Sequence, residues 1–180
     1  MPEQKQVVGQ SEPKAGRPQG PKGYGIPATD EGLLPWGHVQ ERLERSRNYW
    51  VATTRPDGRP HVIPIWGAWV EGAVYFEGGS HTRWARNIAA NPEVAVHLES
   101  GDDVVILEGV AEEIRKPPRA LFDQIDRQYA SKYDYKPSDN LPSPDAEPFP
   151  EGGLYAVRPR IALAWTKFPQ DVTRFQFGEE

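Results

Sequence analysis

The rhythm of apolar positions divides the chain. Residues 1–32 are rich in Pro, Gly, Gln and Lys with only scattered apolar side chains. That is too little burial to offset the entropy of ordering them, so a mobile, disordered tail is predicted. After Pro35, Val39 and Leu43 stand four apart, with Glu41, Arg42, Glu44 and Arg45 on the other positions. This predicts an amphipathic helix through Arg45, placed to plug one end of a barrel. The period then changes to that of strands. Tyr49 to Thr54 is aromatic and β-branched, Pro56-Asp57-Gly58 signals a turn, and Pro60 to Trp66 reads as the returning strand.

A second hairpin is predicted around Glu71-Gly72. Thr82 to Ala90 reads as a short helix with Trp84 and Ile88 four apart, stopped by Asn91-Pro92. Val94 to Leu98 is again strand-like, and Gly101-Asp102 turns the chain into Val104 to Ile114. Pro117-Pro118 opens a longer helix with Leu121, Phe122, Ile125 and Tyr129 at helical spacing, ending before Asp134. Residues 135–153 are proline-rich without periodicity, a long loop that either covers a site or connects. Leu154 to Val157 and Ile161 to Trp165 are predicted as closing strands split by Pro159. Six or seven short antiparallel strands with three helices predict a mainly β, nearly closed barrel over residues 33–180. So small a barrel fills its interior with side chains, which places any ligand in an outer groove or between two copies.

Composition narrows the function. The net charge of −5 comes from 26 acidic and 21 basic residues that are interspersed, so no nucleic-acid footprint is expected. The chain has no cysteine, which excludes disulfides, cysteine-based zinc or iron–sulfur sites and thiol catalysis. No apolar run reaches signal-peptide or membrane-span length, so a soluble cytoplasmic protein without a membrane partner is expected. The histidines at 38, 61, 81 and 97 lack metal-ligand spacing, and no metal site is expected. Phosphate-loop, dinucleotide, nucleophile-elbow and paired-histidine zinc motifs are absent, so hydrolase and kinase chemistries have no support.

Two stretches carry candidate chemistry. Ser80-His-Thr-Arg-Trp-Ala-Arg-Asn-Ile88 lies between a strand and a helix, so backbone N–H groups and Arg83 are placed to meet an anion, with phosphate the natural guest. The other reading is a solvated Arg-rich helix with Trp84 in the core. In Ile63-Pro64-Ile65-Trp66, Pro64 lacks an N–H and belongs at a strand edge, either protecting it or leaving room for a ring system. Trp66 and Trp69 either stack on a ligand or fill a core or interface. Asp102 and Asp103 read as solvating a hairpin tip.

Taken in order, Tyr49 to Gly58, Arg59 to Trp66, Val74 to Glu77 and Ser80 to Ile88 resemble the pyridoxamine 5′-phosphate oxidase-like FMN-binding split-barrel superfamily. The likeness extends over about residues 36–177, including Trp165 to Phe168 and Thr173 to Phe177. It implies a six- to seven-stranded antiparallel split barrel and a homodimer, with FMN or the deazaflavin coenzyme F-420 in a shared groove. Haem is the less favoured ligand. The implied activity is hydride transfer to or from a small conjugated molecule, with no catalytic acid or base required. The alternative is a non-catalytic haem- or flavin-binding barrel.

The implied cofactor residues are Ile63, Pro64, Ile65 and Trp66 beside the flavin ring, and Ser80, His81, Thr82, Arg83, Trp84 and Asn87 at the phosphate. Where the superfamily typically has Ser-Arg-Lys, this chain has Thr82-Arg83-Trp84. The oxidase members' strand arginine and lysine are replaced by Ile63 and Ala68, which argues against pyridoxamine phosphate oxidation itself.

Overall fold

The structure, a computed structural model, describes residues 12–140 and 152–178. Strand β1 is Lys14–Gly16, and helix α1, Trp36–Arg45, leads into β2 (Tyr49–Thr54), β3 (Pro60–Ile65), β4 (Ala68–Val70) and β5 (Ala73–Gly79). Helix α2 is Arg83–Ala90, followed by β6 (Glu93–His97), β7 (Val104–Ile114), α3 (Arg119–Tyr133), β8 (Gly152–Trp165) and β9 (Thr173–Gln176). All pairings are antiparallel. The sheet runs β1-β9-β8-β7-β6-β2-β3, and β5 joins it by pairing with both β8 and β4. The long strand β8 therefore pairs with β7 along Leu154–Trp165, while β5 (along Gly152–Val157) and β9 (along Ile161–Ala164) divide its other edge, and β3 is left as an edge. This is the antiparallel split barrel with three helices that the pattern predicts.

The inner face follows the period of two. Tyr49 and Val51 of β2, Val94 and Val96 of β6, Val105 and Leu107 of β7, and Phe175 of β9 are buried in one core. Trp36, Val39 and Leu43 of α1 close one end of that core, and Trp84 and Ile88 of α2 pack into it from β5. A second core lies outside the barrel, where Leu121, Ile125, Tyr129 and Tyr133 of α3 cover Ala68, Val70, Ala73 and Tyr75.

Three expectations need correction. Among the described residues the sheet has nine strands: the short strands Lys14–Gly16 and Ala68–Val70 add to the predicted set, although Leu154 to Val157 and Ile161 to Trp165 run on as one strand. Pro159 is accommodated opposite Gly109, where the ladder register shifts. A Cβ at Gly109 would stand 2.1 Å from the Arg158 carbonyl oxygen, so only glycine fits that crossing. Second, part of the expected tail is ordered. β1 pairs with β9, and Arg17 donates to the carbonyls of Thr29, Glu31 and Val172. Backbone pairing and one guanidinium do the ordering, so a count of apolar residues misses it. Residues 1–11, and 141–151 of the expected long loop, lie outside the described residues. Third, Asp103 ties the β6–β7 hairpin to α1, accepting from Arg42 at 2.8 Å and bonding His38 at 2.9 Å. Burial opposes its charge, but those bonds and charges hold its carboxyl below the usual range.

Candidate functional site

The β2–β3 turn and the start of α2 meet at one edge of the barrel. The turn is stapled by Asp57, whose carboxylate takes the backbone N–H and guanidinium of Arg59. Gly58, with φ of 82°, supplies the left-handed residue the turn needs. This brings Arg55, at the end of β2, and His61, on β3, within electrostatic reach of Arg83, the first residue of α2. Burial, reinforced by the charges of Arg55 and Arg83, lowers the His61 pKa, so the imidazole is neutral at pH 7. The ring lies 3.5 Å from the Thr53 hydroxyl, which accepts from the buried Asn87 amide at 2.9 Å.

Helix α2 has no acidic residue in its first turn, and Thr82 caps it by accepting from the Ala85 N–H. The N–H groups of the first turn point with the helix dipole toward the opening occupied by Arg83. Arg55 adds a sharper feature. Its Nε is buried and has no hydrogen-bond partner. A buried charged donor left unpaired is costly, and an anion at this opening would satisfy it. The donor set of two guanidinium groups, a helix N-terminus and a neutral imidazole suits a phosphate. A phosphate-bearing cofactor therefore fits the residues present.

The predicted residues divide between this opening and the core. Ser80, His81 and Arg83 are exposed at the opening, and a Cβ on Gly79 would meet the His81 ring at 2.5 Å. Trp84 and Asn87 face inward: Trp84 is 6% exposed and edge-on to Phe76 and Tyr155. The Trp84 side chain is thus a core element, not a substitute for a phosphate-binding lysine. Ile63 and Ile65 pack against the barrel core, while Pro64 is exposed on the edge strand. Ala68 is fully buried. Ala68 leaves no room for a cation to reach solvent, and Ile63 is half-buried against the core.

Trp66 follows β3 and is 44% exposed. It lies flat on Tyr133 with ring centroids 4.5 Å apart, near Tyr135 at 6.4 Å. The Tyr135 hydroxyl donates to Glu77, whose carboxyl burial drives its pKa upward. An aromatic platform thus stands at the end of β3. Sequence reasoning missed Arg55 and His61 as members of the site. Their signal was an arginine and a histidine flanking a tight Pro-Asp-Gly turn, where both strand ends converge.

The family model described as pyridoxamine 5′-phosphate oxidase matches residues 36–160. An F420 reductase of known structure is 28% identical, with a TM-score of 0.52, covering 72% of this chain and 98% of its own. A conserved hypothetical protein from Mycobacterium tuberculosis shares 22% identity at a TM-score of 0.60, over 78% of this chain and 88% of its own. A haem-binding protein from Mycobacterium smegmatis is 15% identical at a TM-score of 0.58, over 81% of this chain and 59% of its own. The last two share the fold alone. No curated protein matches the chain.

Proposed function

Because the chain belongs to the pyridoxamine 5′-phosphate oxidase family, we propose that it is an oxidoreductase using a flavin-type cofactor, FMN or F-420, on a small conjugated molecule. The observation that carries this reading is the buried, unpartnered Nε of Arg55, whose charge acts on His61 together with that of Arg83, the first residue of α2. The likeness to an F420 reductase favours the deazaflavin. The cofactor would supply the hydride chemistry. Arg55 and Arg83 hold the phosphate, and the first-turn N–H groups of α2 orient it. The exposed edge of β3 offers backbone groups to the ring, and Trp66 with Tyr133 gives a flat apolar wall that excludes water.

The outer face of the sheet supports a homodimer. Trp50 and Ala52 of β2, Val62 and Pro64 of β3, and His97 of β6 share that face, with Val62 51% exposed. A second copy covering it would border β3 and enclose the cofactor groove. Light scattering should return a dimer mass. Among the described residues no helix is long and apolar enough to cross a membrane.

The test is a fluorescence titration with F-420 and with FMN, each repeated in inorganic phosphate and with Arg55→Ala and Arg83→Ala. Micromolar binding of one cofactor, weakened by phosphate and by both substitutions, supports the reading. Binding of neither cofactor would sink it. A Soret band on adding haemin would then point to the non-catalytic haem-binding alternative.

A further inference from the structure

A separate cavity of about 920 Å³ opens between α1, α3, the β4–β5 turn and the end of β7. Its floor is aromatic and aliphatic: Trp36, Trp69, Tyr75 and Leu121 line it, each less than a tenth exposed. Trp36 stands edge-on to Trp69 at 6.2 Å and to Phe177, another lining residue, at 5.1 Å. The volume lies in the range of small-molecule sites, roughly 300–1,000 Å³. None of the described lining residues belongs to β3, α2 or the β2–β3 turn. The cavity is therefore distinct from the phosphate opening.

Its rim is charged with one sign in surplus. Glu12, Glu71, Glu112 and Glu113 face only two guanidinium groups, those of Arg115 and Arg158. Arg158 donates to Glu112 at 2.7 Å, and Arg115 lies 3.6 Å from Glu113. Both cations are thus neutralised within the chain. Glu71 is partnered by a neutral group, accepting from the Gln124 amide at 2.7 Å. Its backbone has φ of 48° in the tight β4–β5 turn, so turn and amide together fix its carboxylate at the mouth.

We propose that this cavity is a second binding site, taking a flat aromatic molecule that carries one protonated amine or quaternary ammonium group. The apolar floor supplies burial for the ring system, and the negative faces of the aromatic rings favour a cation among them. The surplus carboxylates attract that cation and repel an anion of the same shape, so charge selects between ligands of equal apolar area.

The full-length protein is titrated with the cationic dye auramine O and, in parallel, with the anionic dye 1-anilinonaphthalene-8-sulfonate. The expected result is one saturable auramine site per chain, with the anionic dye at least about tenfold weaker. Glu71→Lys should weaken auramine binding about tenfold and narrow the gap between the dyes. Arg83→Ala should leave the auramine titration unchanged. In a spectrum of the six tryptophan indole N–H groups, Trp36 and Trp69 should move while Trp50 and Trp66 stay. Equal binding of the two dyes in the Arg83→Ala protein would overturn the proposal. So would unchanged auramine affinity in a folded Glu71→Lys protein, or shifts confined to Trp50, Trp66 or Trp84. Binding that emerges only after residues 1–11 are removed would also overturn it, assigning the groove to the chain's own N-terminus.

Discussion

Two ends of the β2–β3–β4 region are built on opposite rules. At the C-terminal end of α3 every named polar group is matched. The Gln128 side chain accepts from Trp69 N–H and donates to its carbonyl, and the Tyr129 hydroxyl donates to the Trp66 carbonyl. The Tyr133 phenol oxygen accepts from Gly67 N–H and lies 2.7 and 2.9 Å from the carbonyls of Arg47 and Gly67. Lys132 donates to Ser46 and to Tyr49, which in turn bonds the Leu43 carbonyl. At the α2 opening, Arg55 keeps a buried donor without a partner, and its charge acts on His61 together with that of Arg83. A satisfied network holds the fold; under the proposed function, the unsatisfied donor is completed by the cofactor's phosphate.

Breaking the satisfied end should give the larger effect on stability. Tyr133→Phe keeps the stack on Trp66 but strips the buried Gly67 N–H of its acceptor and removes the one O–H shared between the Gly67 and Arg47 carbonyls. We expect a loss of about 2–3 kcal/mol in urea unfolding. Cofactor affinity should change by no more than about twofold, because phenylalanine keeps the flat ring under Trp66 and the substitution leaves Arg55 and Arg83 untouched. A loss of affinity as large as the loss of stability would join the two regions and end the contrast.

The opposite substitution should behave in reverse. Arg55→Ala removes a buried donor that has no partner in the unliganded chain, so the apo protein should be unchanged or up to about 1 kcal/mol more stable. Cofactor affinity should fall by about 1.5–3 kcal/mol, the range for a charge-assisted hydrogen bond. Arg83→Ala should lose less, since its exposed side chain is screened by solvent. An Arg55→Ala protein that unfolds more easily and binds equally well would make Arg55 structural.

The contrast also explains what the sequence disclosed. Elements with a clean period were legible: Val39 and Leu43 mark α1, and Tyr49, Val51 and Thr53 alternate inward along β2. Trp84 was ambiguous because a large aromatic at a helix start suits a ligand wall and a core equally, and only the closeness of Phe76 and Tyr155 decides. Arg55 was illegible because its value lies in the lack of a partner, which no spacing encodes. The ordering of residues 12–32 was missed for a related reason: Arg17 reaches carbonyls more than ten residues away.

A pH series separates the regions further. Burial lowers the Lys132 pKa from 10.5 to about 8, despite the opposing charge of Glu44. Its ammonium lies over the rings of Tyr49 and Tyr133. Between that value and the unfolded one, the unfolded chain binds the extra proton, so stability should rise with pH from about 8 toward 10. Above that, the buried tyrosines, whose pKa values are raised, reverse the trend as they ionise in the unfolded chain. Lys132→Met should flatten the rise in Tm. A rise that survives the substitution would place its source elsewhere.

The smallest effect belongs to His61. Burial and the charges of Arg55 and Arg83 lower its pKa, so the folded chain resists a proton that the unfolded chain accepts near the ordinary value. Stability of the apo protein should therefore fall as pH drops below about 6.5. A bound phosphodiester neutralises the two arginines and lets His61 protonate more easily. The complex then takes up protons on binding, and F-420 affinity should strengthen by about twofold as pH falls from 7.5 to 6. F-420 is the right probe, since its phosphodiester does not titrate there, whereas the FMN phosphate does. His61→Gln should erase the pH dependence and leave the affinity at pH 7.5 nearly intact, because the imidazole is neutral there. If affinity instead weakens on acidification in the parent chain, the bound anion does not lie among Arg55, His61 and Arg83.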